Sequence, residues 1–287
     1  MQTFAEFIRT QSEPLQYAAF FGSLLVLGAL EIAFPGGVAR PHRWPANVGL
    51  TALNIVVLGA VPVGALTAAD FAQAQGWGAL NLLDLSWPAA IAAGFALRSL
   101  VSYAVHVSMH KAPVFWRIHR VHHSDPTMDV STTVRFHPAE FLITMPIVAA
   151  NVVLFGISPL AVILYEIFDA AMAVFTHTNL RLPAVLERML GLILVTPNMH
   201  RIHHSAEQPE TDSNYGATFS WWDRLFGTLR TRTPEDLTAM RLGLDDWIDG
   251  RTDSLMWLLS LPFRRVPLMG QRHGAVSVKP TRQLNVS

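Results

Sequence analysis

The chain has 287 residues, of which 51% are hydrophobic and only 15% are charged, and its mean hydropathy is +0.31. This apolar excess is larger than a soluble core needs, so the composition predicts a membrane protein rather than two soluble domains. The 21 basic and 21 acidic residues cancel, which leaves no broad positive field to attract nucleic acid. Cysteine is absent, so disulfides, thiolate metal sites and cysteine nucleophiles are excluded, and any metal must bind His, Asp or Glu.

Three apolar segments are long enough to cross the hydrocarbon core of a bilayer, which takes about 20 helical residues. They are residues 15–34, residues 48–69, and a segment that begins near Trp87 and continues through 89–107. Two shorter apolar segments, 141–155 and 160–175, flank the helix-breaking turn Gly156-Ile-Ser-Pro159 and are expected to form a hairpin that either spans the bilayer or dips into it. The predicted fold is an all-α membrane protein, with about four to five transmembrane or re-entrant helices and a cytosolic, histidine-rich helical cap.

Loop charges predict which end of this bundle faces the cytoplasm. Residues 35–45 contain Arg40 and Arg43, residues 70–86 contain no Lys or Arg, and residues 111–140 and the chain after Leu180 are rich in Arg. We therefore expect the first loop and the C-terminal third to share the cytoplasmic side. Residues 1–16 lack a basic n-region, so a retained helix is expected rather than a signal peptide. The short chain favours a bacterial inner membrane, with the endoplasmic reticulum as the location if it is eukaryotic.

The same patterns divide the chain into three parts. Residues 1–88 hold N-terminal transmembrane helices and loops, residues 89–230 hold most of the histidines, and residues 231–287 form a C-terminal segment. In that last segment, the apolar residues 255–263 precede Arg264 and Arg265, a pattern that predicts an interfacial helix followed by a tail.

Nine of the twelve histidines occur in patterns that suit metal binding. His106 and His110 are four residues apart at the end of the third apolar segment, which places both imidazoles on one helical face. The sequence His119-Arg-Val-His-His-Ser124 recurs as His200-Arg-Ile-His-His-Ser205, so each copy offers three histidines on one face. His177 lies alone in Thr176-His-Thr-Asn179, where the hairpin returns to the cytoplasmic side.

Imidazole is a ligand for iron, copper, zinc and nickel. Because nine histidines exceed the four ligands of one tetrahedral zinc, two metal ions with four or five ligands each are predicted. His42 and His273 stand alone and are interpreted as ordinary polar residues, whereas His137 could be either structural or a ligand. Neighbouring carboxylates and amides could orient the imidazole N–H groups; the candidates are Asp129, Glu140, Glu166, Asp169, Asp223, Asn179, Asn198 and Asn214.

These motifs together resemble the fatty acid hydroxylase/sterol desaturase superfamily of membrane non-haem di-iron enzymes. The resemblance covers about residues 90–230 and includes Asn214-Tyr-Gly216 and Trp222-Asp-Arg-Leu-Phe-Gly-Thr228 beside the histidine motifs. Four residues before His177, where some members have another histidine, this chain has Ala173. His137, an asparagine or water could therefore complete that ligand set.

The resemblance implies an enzyme in which two iron ions activate O₂ and a lipid C–H bond, of sterol or fatty acyl type, is hydroxylated or desaturated. It implies that residues 89–230 are the catalytic domain, with no catalytic residue beyond the metal centre, and that a separate electron-transfer protein supplies electrons. The metal ligands it implies are His106, His110, His119, His122, His123, His177, His200, His203 and His204. Tentative ligands or supporting residues are His137, Glu140, Asn179, Asn214 and Asp223.

Two other functions stay open at the level of sequence. A membrane zinc-dependent hydrolase or isomerase would use a glutamate base beside the metal, as in HExxH, and this sequence has no HExxH. A metal transporter would place its ligands near the bilayer midplane on broken helices, whereas these histidines are predicted at one membrane face.

Overall fold

A computed structural model of the protein describes residues 2–34, 43–61, 64–244 and 251–264. These residues form helices, and within them no strand occurs beyond the isolated bridges Leu194–Phe219 and Ser205–Leu242. Five stretches are long and apolar enough to cross a membrane. The predicted all-α membrane fold is therefore confirmed.

The helices are α1 (Gln2–Thr10), α2 (Ser12–Ala33), α3 (Trp44–Ala60), α4 (Ala65–Gln75), α5 (Trp87–Lys111), α6 (Pro113–His123), α7 (Pro138–Phe155), α8 (Pro159–Thr176), α9 (Ala184–Leu190), α10 (Pro197–His203), α11 (Gln208–Thr211), α12 (Trp221–Leu225), α13 (Pro234–Ala239) and α14 (Leu255–Ser260).

The apolar segments predicted from the sequence correspond to these helices with one difference. The second segment, 48–69, is not one helix, because α3 ends at Ala60 and α4 begins at Ala65, with residues 62–63 outside the described part of the chain. The hairpin is formed by α7 and α8, each of 18 residues, and each is long enough to span. Gly156 ends α7 in the left-handed region, at φ +65°, where glycine carries no steric cost.

The bundle is held together by small residues. Helix α4 buries Ala65, Ala68 and Ala69 in a cluster with Ala149 and Val152 of α7 and Ala161 of α8. Gly94 of α5 lies so close to α8 that a Cβ atom there would be 2.6 Å from the Cβ of Ala161. Large apolar side chains point outward instead, such as Leu25, which is 75% exposed. This arrangement suits helices that contact one another by shape and face lipid outside.

A second layer, which we call the cap (residues 113–137, 177–244 and 251–264), covers the end of the bundle where α5 and α8 finish. Its centre is polar. Arg135 is fully buried and donates to the carbonyl oxygens of Val121 and Thr252, to the hydroxyl of Ser124 and to the side-chain oxygen of Asn47. Short helices and loops of the cap are therefore tied to the start of α3 by hydrogen bonds.

The C-terminal helix packs on this cap. Trp257 and Leu258 of α14 are buried against Leu50 of α3 and Val121 of α6, while Met256 and Phe263 remain exposed. The predicted interfacial helix 255–263 thus has one face within the protein, and its contact with a membrane stays a prediction. The remainder of the predicted tail, residues 265–287, lies outside the described residues, as do His42 and His273.

Candidate metal centre

The structure gathers all nine histidines nominated by the sequence into two adjacent clusters. In each cluster, one ring nitrogen per residue lies within 4.8 Å of all the others. The division into five and four rings corresponds to the ligand numbers predicted for two ions. The five-histidine cluster contains His106, His110, His119, His123 and His203, and the four-histidine cluster contains His122, His177, His200 and His204.

The repeated sequence motif brings the two clusters side by side. Helix α6 contributes two histidines one turn apart to the five-histidine cluster and directs His122 to the other. Helix α10 reverses this division, because His203 joins the five-histidine cluster while His200 and His204 join the other. The rings of His123 and His204, one from each cluster, stack with centroids 4.4 Å apart. Two helices therefore hold both clusters in a fixed relation.

Within each cluster, ring nitrogens face one another at very short range. The Nε2 atom of His177 is 3.1 Å from Nε2 of His122 and 3.0 Å from Nε2 of His200. In the five-histidine cluster, the Nε2 atoms of His106 and His119 are 3.2 Å apart. Nitrogens bound to one ion at about 2.1 Å, with angles near 90–109°, would be roughly 3.0–3.4 Å apart. The observed spacing therefore fits a shared ion.

Hydrogen bonds on the far side of the rings fix which nitrogen carries the proton. The Nδ1 atom of His106 is 2.7 Å from the carbonyl oxygen of Tyr215, and Nδ1 of His177 is 2.6 Å from that of Ala173. Since a carbonyl oxygen only accepts, both Nδ1 atoms must donate, and in a neutral ring this leaves a lone pair on Nε2. His203 is held in the same way, 2.7 Å from the carbonyl oxygen of Ser213.

The consequence is that unprotonated nitrogens point at one another. His119 donates from Nδ1 to the Glu140 carboxylate at 2.9 Å, so Nε2 of His119 and Nε2 of His106 present two lone pairs across 3.2 Å. Facing lone pairs repel unless a cation lies between them. Both ring nitrogens of His110 and His123 are buried and have no hydrogen-bond partner within the described residues. These donor atoms fit metal ions, which would satisfy them.

Burial also keeps the rings neutral. It lowers the pKa of His122, His123, His200 and His204 well below the ordinary value, and neighbouring imidazoles lower it further. Burial lowers the pKa of His177 to about 4 and of His203 to about 3, partly opposed by their hydrogen bonds to backbone carbonyls. Rings that are neutral near pH 7 are in the form that binds a metal.

Three of the nominated supporting residues lie behind the clusters. Glu140 contacts His119 directly. Asp223 acts on His106 indirectly. Its carboxylate accepts from the backbone N–H groups of Tyr215 and Gly216, both at 2.8 Å, and so fixes the Tyr215 carbonyl that accepts from His106. Asn214, at φ +50°, lies between the two residues whose carbonyls hold His106 and His203, and its amide donates to the backbone of Met199 and Arg230.

Other candidates lie elsewhere. His137, weighed as a further ligand, is outside both clusters because its Nδ1 caps α7 by accepting from the Ala139 N–H and its Nε2 contacts the Leu259 carbonyl. The side chain of Asn179 accepts from Arg201 and forms no hydrogen bond to a histidine within the described residues. The remaining candidates bond within the cap or bundle: Asp129 with Ser131, Glu166 with Gln16, Asp169 with Thr218, and Asn198 with Glu187.

Sequence reasoning missed the backbone carbonyls of Ala173, Ser213 and Tyr215, which orient three of the rings. The motif Asn214-Tyr-Gly216 marked this loop, but only the Asn214 side chain was considered there. It also missed Phe136, whose ring stacks on His122 with centroids 4.3 Å apart. Every residue has a backbone carbonyl, so the sequence does not indicate which carbonyls accept from the histidines. The fold is needed to identify them and the stacking of Phe136.

Fold and site together define a helical, multi-pass membrane protein with two polyhistidine clusters that can each hold a metal ion. Residues 91–228 match the family model of the fatty acid hydroxylases. The part of the chain that holds all nine clustered histidines thus matches the fatty acid hydroxylase family, in agreement with the resemblance of its histidine motifs. No solved structure matches the chain at a comparable level of significance.

Several known proteins are similar to part of this chain. An alkylglycerol monooxygenase of Caenorhabditis elegans is 30% identical over 56% of this chain and 31% of its own length. The ornithine lipid hydroxylase OlsE of Rhizobium tropici is 33% identical over 50% of this chain and 43% of its own. A cholesterol 25-hydroxylase-like protein of Danio rerio is 30% identical over 52% of this chain and 58% of its own. The chain thus spans less than two thirds of each of these relatives.

Proposed function

We propose that this protein is a di-iron oxidoreductase that uses O₂ to hydroxylate a C–H bond of a membrane lipid. The observation that carries the proposal is the pair of histidine clusters in which ring nitrogens face one another at 3.0–3.2 Å, with two facing lone pairs between His106 and His119 because both Nδ1 atoms donate elsewhere. The relatives named as lipid hydroxylases and monooxygenases support this reaction type. Desaturation, in which two adjacent carbons each lose a hydrogen and a C=C bond forms, is the variant of this chemistry that a product analysis would separate.

The nine histidines would hold the ions, five at one position and four at the other. When bound, such a metal pair supplies the O₂ activation that neutral protein side chains cannot. The chain's own contribution is to fix the rings through Glu140 and the loop carbonyls, and to keep water away from the clusters. Eight of the nine histidines are buried, which supports this second role.

The approach of a lipid is indicated by the ninth ring. His106 is partly exposed, and it lies on the membrane-spanning helix α5, whereas the other rings are closed in by the cap. A chain entering from the bilayer side would therefore meet His106 first. We propose further that this end of the bundle is cytoplasmic, as the loop arginines predict, and that a separate protein delivers electrons there.

Purified protein in detergent tests the proposal. We expect about two iron ions per chain, in line with four or five imidazole ligands for each ion. With a reductant, oxygen-18 gas and a membrane lipid extract, mass spectrometry should show a lipid that has gained a single oxygen-18 atom. A lipid that has instead lost hydrogen would indicate desaturation.

Two results would overturn the proposal. Zinc in place of iron, with no O₂ consumption by any reductant, would favour a hydrolase or isomerase. Uptake of radioactive metal by vesicles containing the protein, without lipid oxidation, would favour a transporter. Apoprotein prepared with a chelator and reloaded with iron or zinc separately provides the control, because only iron should restore O₂ consumption.

A further inference from the structure

A cavity of about 710 Å³ lies beside the metal centre, on the other side of α10. Met199, Arg201 and Ile202 of that helix line the cavity, while His200 and His203 of the same helix belong to the two clusters. The remaining walls come from α9 and the two residues after it, from α12 and α13, and from the loops around residues 179–182 and 230–232. Six arginines line it: Arg181, Arg188, Arg201, Arg224, Arg230 and Arg232.

This arginine cavity carries an excess of positive charge. Arg232 is paired with Glu207 and Glu210, but the guanidinium groups of Arg181, Arg188 and Arg230 form no ion pair with any carboxylate in the described ranges. Burial and the charge of Arg181 lower the pKa of Arg201, and the charge of Glu31 partly opposes them. The one carboxylate in the lining, Glu187, accepts from Thr196 and does not pair with an arginine within the described residues.

The surface around the cavity combines apolar and aromatic side chains with the arginines. The rim of the cavity continues into an exposed apolar surface, in which Val185 and Met189 of α9 are 65% and 64% exposed and Leu192 is 64% exposed. The neighbouring helix α12 exposes Leu225 and places Trp222 against the bundle, where its indole N–H donates to Ser99 of α5. Aromatic and apolar side chains beside arginines are typical of the membrane interface.

We infer that the arginine cavity binds the phosphate group of a membrane lipid headgroup. Guanidinium groups form paired hydrogen bonds with phosphate oxygens, and unpaired ones at an interface are suited to this ligand. Leucines at positions 180, 182 and 237 in the lining would contact the glycerol and the first methylenes of the chains. A free phosphate ion would use the arginines alone and gain nothing from these apolar walls.

This inference also narrows the substrate, in a step that rests on the proposed function. A lipid held by its phosphate on one side of α10 would have its acyl or alkyl chain free to reach the clusters on the other side. The expected substrate class is therefore a phosphate-bearing glycerolipid rather than a neutral sterol or diacylglycerol.

Binding to the detergent-purified protein tests the inference without any turnover. The probes are short-chain phosphatidic acid, diacylglycerol with the same chains, and inorganic phosphate, each titrated by calorimetry. Phosphatidic acid should bind at least about tenfold more tightly than either other probe, because only it offers both the charge and the apolar chains. Equal affinity for inorganic phosphate would show that the cavity takes a soluble phosphate, and equal affinity for diacylglycerol would show that the arginines recognise nothing; either result overturns the inference.

Charge-removing variants locate the binding site. Arg181→Gln, Arg188→Gln and Arg230→Gln each change an exposed side chain. The triple variant that combines these three substitutions should weaken phosphatidic acid binding by at least about tenfold. Arg117→Gln is the matched control, because Arg117 is an exposed arginine of α6 outside the cavity, and it should bind as the unmodified protein does. Unchanged binding in the triple variant would overturn the inference.

Oxidation assays then separate this inference from the proposed function. The iron-loaded protein could oxidise phosphatidic acid and neutral lipid equally, with no effect of the triple variant. This result would support the proposed function and overturn the role of the cavity in choosing a substrate. Protein that binds phosphatidic acid as expected but oxidises no lipid would retain the cavity and overturn the function.

Discussion

The bundle and the cap are held together by different forces. In the bundle, α4, α7 and α8 meet through alanines and α5 approaches α8 at Gly94, so contact depends on the shape of small side chains. In the cap, charged and polar groups are buried and are held by hydrogen bonds, with Arg135 the most connected of them. The bundle therefore supplies a framework of apolar helices, while the cap supplies the exact positions of donor atoms.

This difference matters for the site because the nine rings come from both regions. His106 and His110 belong to a bundle helix and His177 follows another, whereas the other six lie on α6 or α10 of the cap or directly follow α10. A metal ion at each cluster would thus join the two regions. Variants that remove a ligand, a cap hydrogen bond or a bundle contact should have separable effects on metal content and on stability.

The largest effect is expected from removing a ligand of the smaller cluster. His204→Ala leaves three rings where there were four, so we expect one ion per chain to be lost, with metal affinity at that position reduced by at least about a hundredfold and lipid oxidation abolished. Metal analysis and the oxygen-18 assay measure both quantities. Full iron content with normal oxidation would show that this cluster is not a metal site.

His137→Ala is the matched control for that variant. His137 is also a buried cap histidine, but it lies outside both clusters and caps α7. Loss of a cap costs about 1 kcal/mol, so the melting temperature should fall slightly while metal content is unchanged. A loss of metal equal to that in His204→Ala would show instead that general weakening of the cap releases the ions.

Removing the central hydrogen-bond donor of the cap should destabilise it without touching a ligand. Arg135→Met leaves acceptors on Asn47, Val121 and Thr252 buried without their donor, at a cost of about 3–5 kcal/mol. Hydrogen exchange should increase in the cap and remain slow in the bundle. Arg117→Met, at an exposed position on the same cap, should have little effect, and equal destabilisation by both would contradict a special role for Arg135.

The sequence predicted the bundle well because its signals are local. Long apolar runs correspond to α2 and α5, and Gly156-Ile-Ser-Pro159 marks the turn between α7 and α8. The division of the second apolar segment into α3 and α4 was not predicted, although Pro62 and Gly64 provide a local signal for it. Hydropathy alone does not distinguish one spanning helix from two consecutive ones.

The sequence predicted which histidines converge but not how they are arranged. Spacing of three and four residues indicates that imidazoles share a helical face, and all nine do converge. How the rings of α6 and α10 are divided between two clusters depends on where these helices cross, which no local pattern encodes. The same holds for Arg135, whose partners are up to 117 residues away along the chain.

A smaller effect is expected where a bundle residue, Glu140 of α7, orients a histidine of the cap. Glu140→Gln keeps the size of the side chain but removes the charge that accepts from Nδ1 of His119. Metal affinity of the five-histidine cluster should fall by about ten- to a hundredfold while the four-histidine cluster keeps its ion. Competition with a graded series of chelators would measure this affinity, and equal weakening of both ions would show that Glu140 does not act through His119 alone.

The smallest effect is expected in the bundle, from a single methyl group. In Gly94→Ala, the new Cβ would lie 2.6 Å from the Cβ of Ala161, so α5 and α8 must separate. This separation lowers the free energy of unfolding by about 1–3 kcal/mol, and the better helix propensity of alanine offsets about 1 kcal/mol of that loss. Gly22→Ala in α2 is the matched control, since a Cβ there meets nothing within 4 Å and only the gain in propensity remains. Unfolding in detergent micelles should therefore show that Gly22→Ala is more stable than the unmodified protein and that Gly94→Ala is less stable. Metal content should be unchanged in both variants. If Gly94→Ala were instead as stable as Gly22→Ala, the bundle would be adaptable at this contact, and close packing by small residues would not be what holds α5 against α8.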